Sequence, residues 1–200
     1  MIQCCHYKLN FPVDNWVKRD IDLGWYPAEF PPTPWGEKRN WALQYPPSDT
    51  VLSTEAIDFL KKIDVLPSVD GPNTVNLFRG DPVSDMHIHL DPGPRFSINY
   101  VFGTENSDMV WYEAGPNTQT RLWTSVTGRK AMSWHQEGMI EIDRVRMIGL
   151  MLVRIDVPHN IQNYSTDTRW CAAVKDRTKD WTWDQAVEFF KPWIVHETIL

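Results

Sequence analysis

The chain has 200 residues, a formal net charge of −6 and a sequence pI of about 5.5. This length suits one domain with a substantial core, and an acidic balance without a Lys/Arg-rich stripe argues against nucleic acid as a direct ligand. The three cysteines form neither a disulfide framework nor a paired metal motif, and no segment approaches the roughly 20 apolar residues of a membrane span. We therefore expect a cytoplasmic protein without a membrane partner, as a monomer or weak homo-oligomer.

The first fifty residues alternate prolines with tryptophans. Seven of the fifteen prolines lie in residues 1–50. Because proline lacks an N–H group and fixes φ, this composition predicts an irregular N-terminal arm with few regular elements. The arm is expected to be held by burial of its indoles, which belong to Trp16, Trp25, Trp35 and Trp41. Such an arm can wrap a barrel or form a lid.

Two segments carry helical periodicity. The first covers residues 53–64, where Ser53 suits an N-cap. Its apolar residues follow the i, i+3, i+4, i+7 spacing of one helix face, namely Ala56, Phe59, Leu60 and Ile63. The second covers residues 182–191, where Thr182 and Gln185 have capping-box spacing and a proline follows the last apolar residues.

Residues 75–177 have a different residue pattern, with short runs of β-forming residues separated by Gly, Pro, Asn and Asp. This pattern is typical of an all-β sandwich or barrel. Regular helices between the strands are missing, which argues against a doubly wound α/β sheet. The sequence thus predicts a mainly β single domain over residues 1–200, with the two helices packed outside the β core.

The segment HIHLD places two histidines and an aspartate just before a predicted strand. Alternate residues of a strand point to one face, so His89 and Asp91 can aim at one point, and His87 can orient His89 or a bound water. Two histidines and one carboxylate make the facial triad that holds Fe(II) and leaves other positions open. The third ligand is then His159 or His135, both of which lie downstream.

An arginine follows one of these histidines at a suggestive distance. Arg169 lies ten positions after His159, across the turn segment NYSTD. A histidine that ends one strand and an arginine that begins the next can sit side by side in a jelly roll. The guanidinium group can then make a bidentate contact to a carboxylate.

The order of HLD, His159 and Arg169 resembles the His-x-Asp…His…Arg arrangement of the Fe(II)/2-oxoglutarate-dependent oxygenases, which are built on a double-stranded β-helix, a cupin-like jelly roll. The resemblance spans roughly residues 75–177. Within that superfamily the chain looks most like small phage and bacterial proteins related to aspartyl/asparaginyl β-hydroxylases. The resemblance implies that His89, Asp91 and His159 are the catalytic iron ligands, and that Arg169 pairs with the distal carboxylate of 2-oxoglutarate.

Other positions follow from the same resemblance. Asn99 and Tyr112 are expected to contact the cosubstrate, with Ser97 and Trp111 as further neighbours of the pocket. One position departs from the family pattern. A hydroxyl residue frequently stands two positions after the arginine, whereas this chain has Cys171, so a second carboxylate contact there is not supported.

The resemblance implies an Fe(II)- and 2-oxoglutarate-dependent dioxygenase, most simply a hydroxylase, in the cytoplasm of a bacterium or phage-infected cell. Its substrate would be an unidentified protein or small molecule whose C–H bond is oxidised. The alternative is a non-catalytic cupin-like module with a metal-binding or structural role, such as a phage accessory protein. Arg169 separates the two hypotheses, because only the oxygenase needs a carboxylate clamp beside its last histidine.

Overall fold

The computed structural model of the protein describes residues 4–21, 23, 35, 41–68, 73–124 and 130–195. Much of the predicted N-terminal arm, including Trp25, lies outside these residues. The described residues form thirteen β-strands and three α-helices, and a 3-10 turn over Lys191–Trp193 follows the last helix. None of the described helices is long and apolar enough to span a membrane.

The strands are short, and the longest of them have eight residues. They are β1 (His6–Lys8), β2 (Trp41–Gln44), β3 (Asn76–Gly80), β4 (Ser84–Asp85), β5 (Ile88–Leu90), β6 (Phe96–Phe102), β7 (Ser107–Ala114), β8 (Thr120–Thr124), β9 (Lys130–Trp134), β10 (Met139–Arg146), β11 (Gly149–Arg154), β12 (His159–Asn163) and β13 (Arg169–Val174). The helices are α1 (Ser48–Val51), α2 (Thr54–Lys62) and α3 (Trp183–Phe190).

The strands form two antiparallel sheets. The first has the order β1-β11-β6-β13-β3-β2, and the second has the order β10-β7-β12-β5-β9-β8, with β4 paired to β12. The four strands β11-β6-β13-β3 thus face the four strands β10-β7-β12-β5. This arrangement is a double-stranded β-helix, so the predicted mainly β jelly roll with flanking helices is confirmed. The β8–β9 hairpin extends the second sheet.

Period-two alternation along the strands separates two layers of core. On β13, Ala172 belongs to the cluster outside the first sheet, where it packs with Leu60 of α2 and Phe190 of α3. Its neighbour Cys171 belongs to the cluster between the sheets, with Met109 of β7. Successive residues of one strand therefore hold the helices on the outside and line the interior of the barrel.

Both long helices begin at a capped residue. The Ser53 hydroxyl accepts a hydrogen bond of 3.0 Å from the Ala56 amide, so α2 lies inside the segment predicted from the sequence. A capping box of Thr182 and Gln185 starts α3. After the last α-helical residue the chain continues as the 3-10 turn, which contains Pro192.

The described part of residues 1–50 contains a few short regular elements, whose positions the sequence did not indicate. It contributes β1 and β2, the two edge strands of the first sheet, together with the start of α1. An edge strand needs a partner on one side only, which suits short strands in a proline-rich stretch. The partners are the distant strands β11 and β3, so no local pattern could indicate them. Trp16 and Trp41 are buried, as their predicted anchoring role requires.

A close backbone contact at Gly103 fixes where β13 begins. Gly103 follows β6 with a φ of +87°, and a Cβ atom there would lie only 2.6 Å from the Thr168 carbonyl oxygen. Thr168 directly precedes Arg169, the first residue of β13. Because the contact leaves no room for a side chain, glycine at 103 determines how closely the two strands approach.

We expect Gly103→Ala to destabilise the protein more than Gly149→Ala does. Gly149 also has a positive φ, of +64°, but a Cβ there would meet nothing within 4 Å. Gly149→Ala, the control, should therefore lower the free energy of unfolding by about 1–2 kcal/mol, which is the cost of a positive φ in a residue with a Cβ atom. Gly103→Ala should lower it by roughly 1–3 kcal/mol more, because of the clash. Urea denaturation of both variants measures the difference, and equal losses would remove Gly103 from this role.

Candidate metal centre

Three side chains predicted as metal ligands meet between β5 and β12. His89 lies on β5 directly opposite His159, the first residue of β12, and Asp91 follows β5 by one residue. One ligand atom from each residue lies within 4.8 Å of the other two. The Asp91 Oδ1 atom is 3.6 Å from His89 Nε2, and Oδ2 is 3.9 Å from His159 Nε2. The antiparallel pairing of the two strands therefore assembles this ligand set.

Each imidazole is oriented by the backbone two residues before it. The Nδ1 atom of His89 lies 3.0 Å from the backbone oxygen of His87, and that of His159 lies 2.8 Å from the backbone oxygen of Val157. Because a carbonyl oxygen can only accept, each Nδ1 carries the proton and each Nε2 keeps a lone pair. This is the tautomer that binds a metal through Nε2. His87 thus orients His89 as predicted, through its carbonyl group.

Burial keeps both imidazoles uncharged. Desolvation lowers the pKa of His89, and desolvation together with the neighbouring His89 lowers the pKa of His159 to about 3. The contacts with Asp91 are therefore not ion pairs at neutral pH. Burial by itself raises the pKa of the Asp91 carboxyl, but Lys175 and the two histidines outweigh it and hold that pKa well below its usual range. Two neutral nitrogens and one anionic oxygen are ready to bind a cation.

The sequence analysis missed Lys175, which lies just after β13. It is 5% exposed, and its Nζ atom donates a hydrogen bond of 2.7 Å to Asp91 Oδ2. The contact occupies one face of Oδ2, while Oδ1 faces His89. A signal was present in the sequence, because the alternation that places Arg169 inside the barrel also places the residues at 171, 173 and 175 inside.

Arg169 is buried in the same cavity, with 3% of its surface exposed. Its Nε atom donates a hydrogen bond of 3.0 Å to the Ser107 hydroxyl, and its Nη2 atom has no hydrogen-bond partner. No carboxylate in the described part of the chain forms an ion pair with it. Desolvation accordingly lowers the pKa of this guanidinium. A buried guanidinium with a free N–H edge is a site for an anionic group.

The cavity that joins these groups encloses about 610 Å³, including its open mouth. Its polar lining contains the three candidate ligands, both buried cations and Asn99, whose Oδ1 accepts a hydrogen bond of 2.6 Å from the Ser97 hydroxyl. Its larger apolar lining residues come from both sheets and are Trp41, Phe78, Met86, Met109, Ile155 and Ile161. The structure thus brings five of the six predicted site residues to one cavity, with Tyr112 as the exception.

Tyr112 and His135 lie on the other side of the second sheet. The Tyr112 side chain packs with Ile88 and Val110, and its hydroxyl lies 3.2 Å from Asn160 Oδ1, away from the cavity. The strand phase places Trp111 on the inner face, so Tyr112 must point outwards, and its predicted contact with a cosubstrate is not met. His135 follows β9 and is not part of the ligand group found among the described residues. The third member of the group is His159.

Cys171 lies where the family resemblance leads one to expect a hydroxyl group. Its side chain lines the cavity beside Arg169 and is 1% exposed. Burial raises the pKa of the thiol, and the neighbouring Arg169 opposes this shift without reversing it. A neutral thiol is a weak hydrogen-bond donor, so Cys171 offers a bound carboxylate much less than a serine would.

No protein-family profile matches the sequence, and no curated protein matches it. Among solved structures, the chain is similar to oxalate decarboxylase from Bacillus subtilis. Two mutants of that enzyme align with TM-scores of 0.34 and 0.33 at 13% and 11% identity, over 70% of this chain and 27% and 26% of theirs. A further structure of the same enzyme, from a study of its Mn(II) centres, aligns with a TM-score of 0.33 at 11% identity. The chain spans about a quarter of these proteins, and similarity at this level carries no argument about what this chain does.

We expect Asp91→Ala to weaken divalent-metal binding by roughly 100-fold or more, because it removes the anionic ligand, whereas changes outside the ligand set cost about 10–100-fold at most. Asp58→Ala, on the exposed side of α2, is the matched control and should bind metal as the wild type does. Titration calorimetry with Fe(II) or Mn(II) under anaerobic conditions measures both. Unchanged affinity in Asp91→Ala would exclude Asp91 from the site.

The metal-free protein should also depend on the Asp91–Lys175 pair. Asp91→Ala leaves the Lys175 ammonium buried without a counter-ion, which costs roughly 3–5 kcal/mol of the free energy of unfolding. Adding Lys175→Met removes the stranded charge, so the double variant should recover most of that loss while still failing to bind metal in the cavity of His89 and His159. Chemical denaturation in the presence of a chelator tests this. A double variant as unstable as Asp91→Ala would contradict the interpretation.

Proposed function

We propose that the protein is an Fe(II)- and 2-oxoglutarate-dependent oxygenase that hydroxylates a C–H bond of a protein or small-molecule substrate. The observation that carries the proposal is the environment of Arg169. Its guanidinium is buried in the cavity of the three candidate ligands, and its Nη2 atom has no hydrogen-bond partner. An anionic cosubstrate that also reaches the metal would satisfy both groups at once.

The donor set fits iron. Two neutral imidazole nitrogens and one carboxylate oxygen form the facial triad of non-haem Fe(II) oxygenases, and such a triad leaves several coordination positions open. His89 and His159 would bind through Nε2, and Asp91 would bind through Oδ1, since Lys175 holds Oδ2. When bound, Fe(II) and 2-oxoglutarate supply the oxidation of a C–H bond by dioxygen, coupled to decarboxylation of the cosubstrate.

The charges of the cavity favour a dianion. Asp91 contributes one negative charge, Arg169 and Lys175 contribute two positive charges, and a divalent metal adds two more. Arg79 at the mouth is already paired, since its Nη2 atom lies 3.0 Å from Asp81 Oδ1. A buried excess of positive charge is costly without an anion to balance it. A dicarboxylate such as 2-oxoglutarate would lower this net charge from +3 to +1, with one carboxylate at the metal and the other at Arg169.

The apolar walls of the cavity would also support the proposed oxidation. Met109, Ile155 and Ile161 come from or flank strands of the barrel, and Trp41 comes from the edge strand β2. Apolar walls exclude water, which strengthens the electrostatic contacts to the bound carboxylates and protects reactive species from side reactions. Holding the substrate beside an open face of the metal is then the contribution of the protein.

A second candidate function is a cupin-like metal-binding module without catalysis. Two observations favour it. Lys175 gives Asp91 a counter-ion without a metal, and Cys171 stands in place of the expected hydroxyl group. Such a module needs the three ligands but no carboxylate clamp. Arg169 therefore discriminates the two functions by experiment.

We expect wild-type protein, titrated anaerobically with Fe(II) and then 2-oxoglutarate, to develop the weak visible charge-transfer band of the chelated cosubstrate. Arg169→Ala should keep its Fe(II) affinity within a few-fold but should bind 2-oxoglutarate roughly 10–100-fold more weakly, since a charged hydrogen bond is worth about 1.5–3 kcal/mol. Arg79→Ala is the matched control, an arginine at the same cavity that is already paired.

Three outcomes are informative. Loss of the band in Arg169→Ala alone, together with formation of succinate when oxygen is admitted to the wild type, supports the oxygenase. Fe(II) binding without any band in the wild type supports the non-catalytic module. Equal loss of metal and cosubstrate binding in Arg169→Ala would mean that the arginine serves folding only.

A further inference from the structure

A second group of metal-ligating side chains lies outside the cavity, where the edges of the two sheets meet. Cys4 precedes β1, His6 is the first residue of β1, and Asp143 lies in β10. One ligand atom from each lies within 4.8 Å of the other two. Strands β1 and β10 are edge strands of different sheets, so this group, which we call the edge cluster, bridges them.

Asp143 reaches the edge cluster through an irregularity in its strand. The pairing of β10 with β7 shifts register between Glu141 and Asp143, as in a β-bulge, and such bulges re-aim side chains. The carboxylate is then held in place by two backbone amides. Oδ2 accepts a hydrogen bond of 2.8 Å from the Cys5 amide, and Oδ1 accepts one of 2.9 Å from the Arg144 amide. A carboxylate fixed in this way keeps further lone pairs for a cation.

The position of the His6 ring is also fixed by its neighbours. It stacks on Trp111 with a centroid distance of 5.7 Å and an interplanar angle of 23°. Its Nε2 atom lies 3.6 Å from Asp143 Oδ1, which is long for a hydrogen bond. Donors at about 2.0–2.3 Å from a tetrahedral zinc ion lie roughly 3.3–3.8 Å apart, so the separation suits two ligands of one ion.

Cys4 completes the set with a different kind of donor. It is a free, exposed cysteine whose Sγ atom donates a hydrogen bond of 2.9 Å to the His6 carbonyl oxygen. Binding of a cation releases the thiol proton to solvent and frees that carbonyl, while the thiolate sulfur bonds to the metal. A thiolate beside an imidazole selects a softer ion than the nitrogen and oxygen donors of the barrel cavity.

We propose that Cys4, His6 and Asp143 bind a zinc ion that ties β1 to β10 and closes the edge between the two sheets. The three side chains occupy three positions of a tetrahedral site, and water takes the fourth. The edge cluster is independent of the barrel cavity, because it shares no residue with the cavity lining. It would exist whether or not the protein is an oxygenase.

Cobalt(II) is the probe for this site, because a thiolate ligand gives cobalt a near-ultraviolet charge-transfer band that nitrogen and oxygen ligands do not give. We expect wild-type protein to develop the band with Co(II) and to lose it when Zn(II) is added. Cys4→Ser should abolish the band and weaken zinc binding at this site by roughly 100-fold or more. His6→Ala tests a second ligand and should weaken the same band.

The other two cysteines are the matched controls. Cys5 is buried beside the edge cluster, and Cys171 lines the barrel cavity. Cys5→Ser and Cys171→Ser should therefore retain the band. A wild-type protein that binds Co(II) without the band would overturn the proposal, as would a band that survives Cys4→Ser. Neither result depends on 2-oxoglutarate, so failure here is distinct from failure of the oxygenase proposal.

Discussion

The buried contact between Lys175 and Asp91 joins the two sheets at the cavity. Lys175 directly follows β13 of the first sheet, and Asp91 directly follows β5 of the second. At 2.7 Å the pair has the length of a strong charge-assisted hydrogen bond. Neither charge could be buried alone, so the position of each side chain depends on the other. The arrangement fixes the carboxylate that the two histidines share and places a second buried cation, besides Arg169, in the lining of the cavity.

Much of the fold and most of the site could be predicted from the sequence, because the decisive signals were local. The segment HLD defines its own face by alternation, and the β-rich runs with turn residues between them indicate a jelly roll. The side-chain phase of β7 was harder to predict. Both Trp111 and Tyr112 are large and apolar enough to fill an interior, and the pairing with β12 and β10 decides that Trp111 points inwards.

The features that were not predicted depend on residues far apart in sequence. The edge strands β1 and β2 become strands because β11 and β3 offer hydrogen-bonding partners, and no pattern within three or four residues could reveal that. Lys175 gains its role from Asp91, which lies 84 positions earlier in the chain. The three cysteines form no paired metal motif in the sequence, and Cys4 and His6 come close to Asp143 only because the folded chain brings β1 and β10 together.

The hydrogen bonds that orient the two imidazoles have a consequence for the energetics of binding. Each ring is held by a carbonyl group two residues earlier in the same segment, so its rotamer and tautomer are set by the local backbone. The side-chain entropy of the ligands is therefore lost when the barrel folds, and little of it remains to be lost when a metal arrives. A metal ion that enters this cavity meets a preorganised pair of ring nitrogens, and most of the free energy of coordination remains available as affinity.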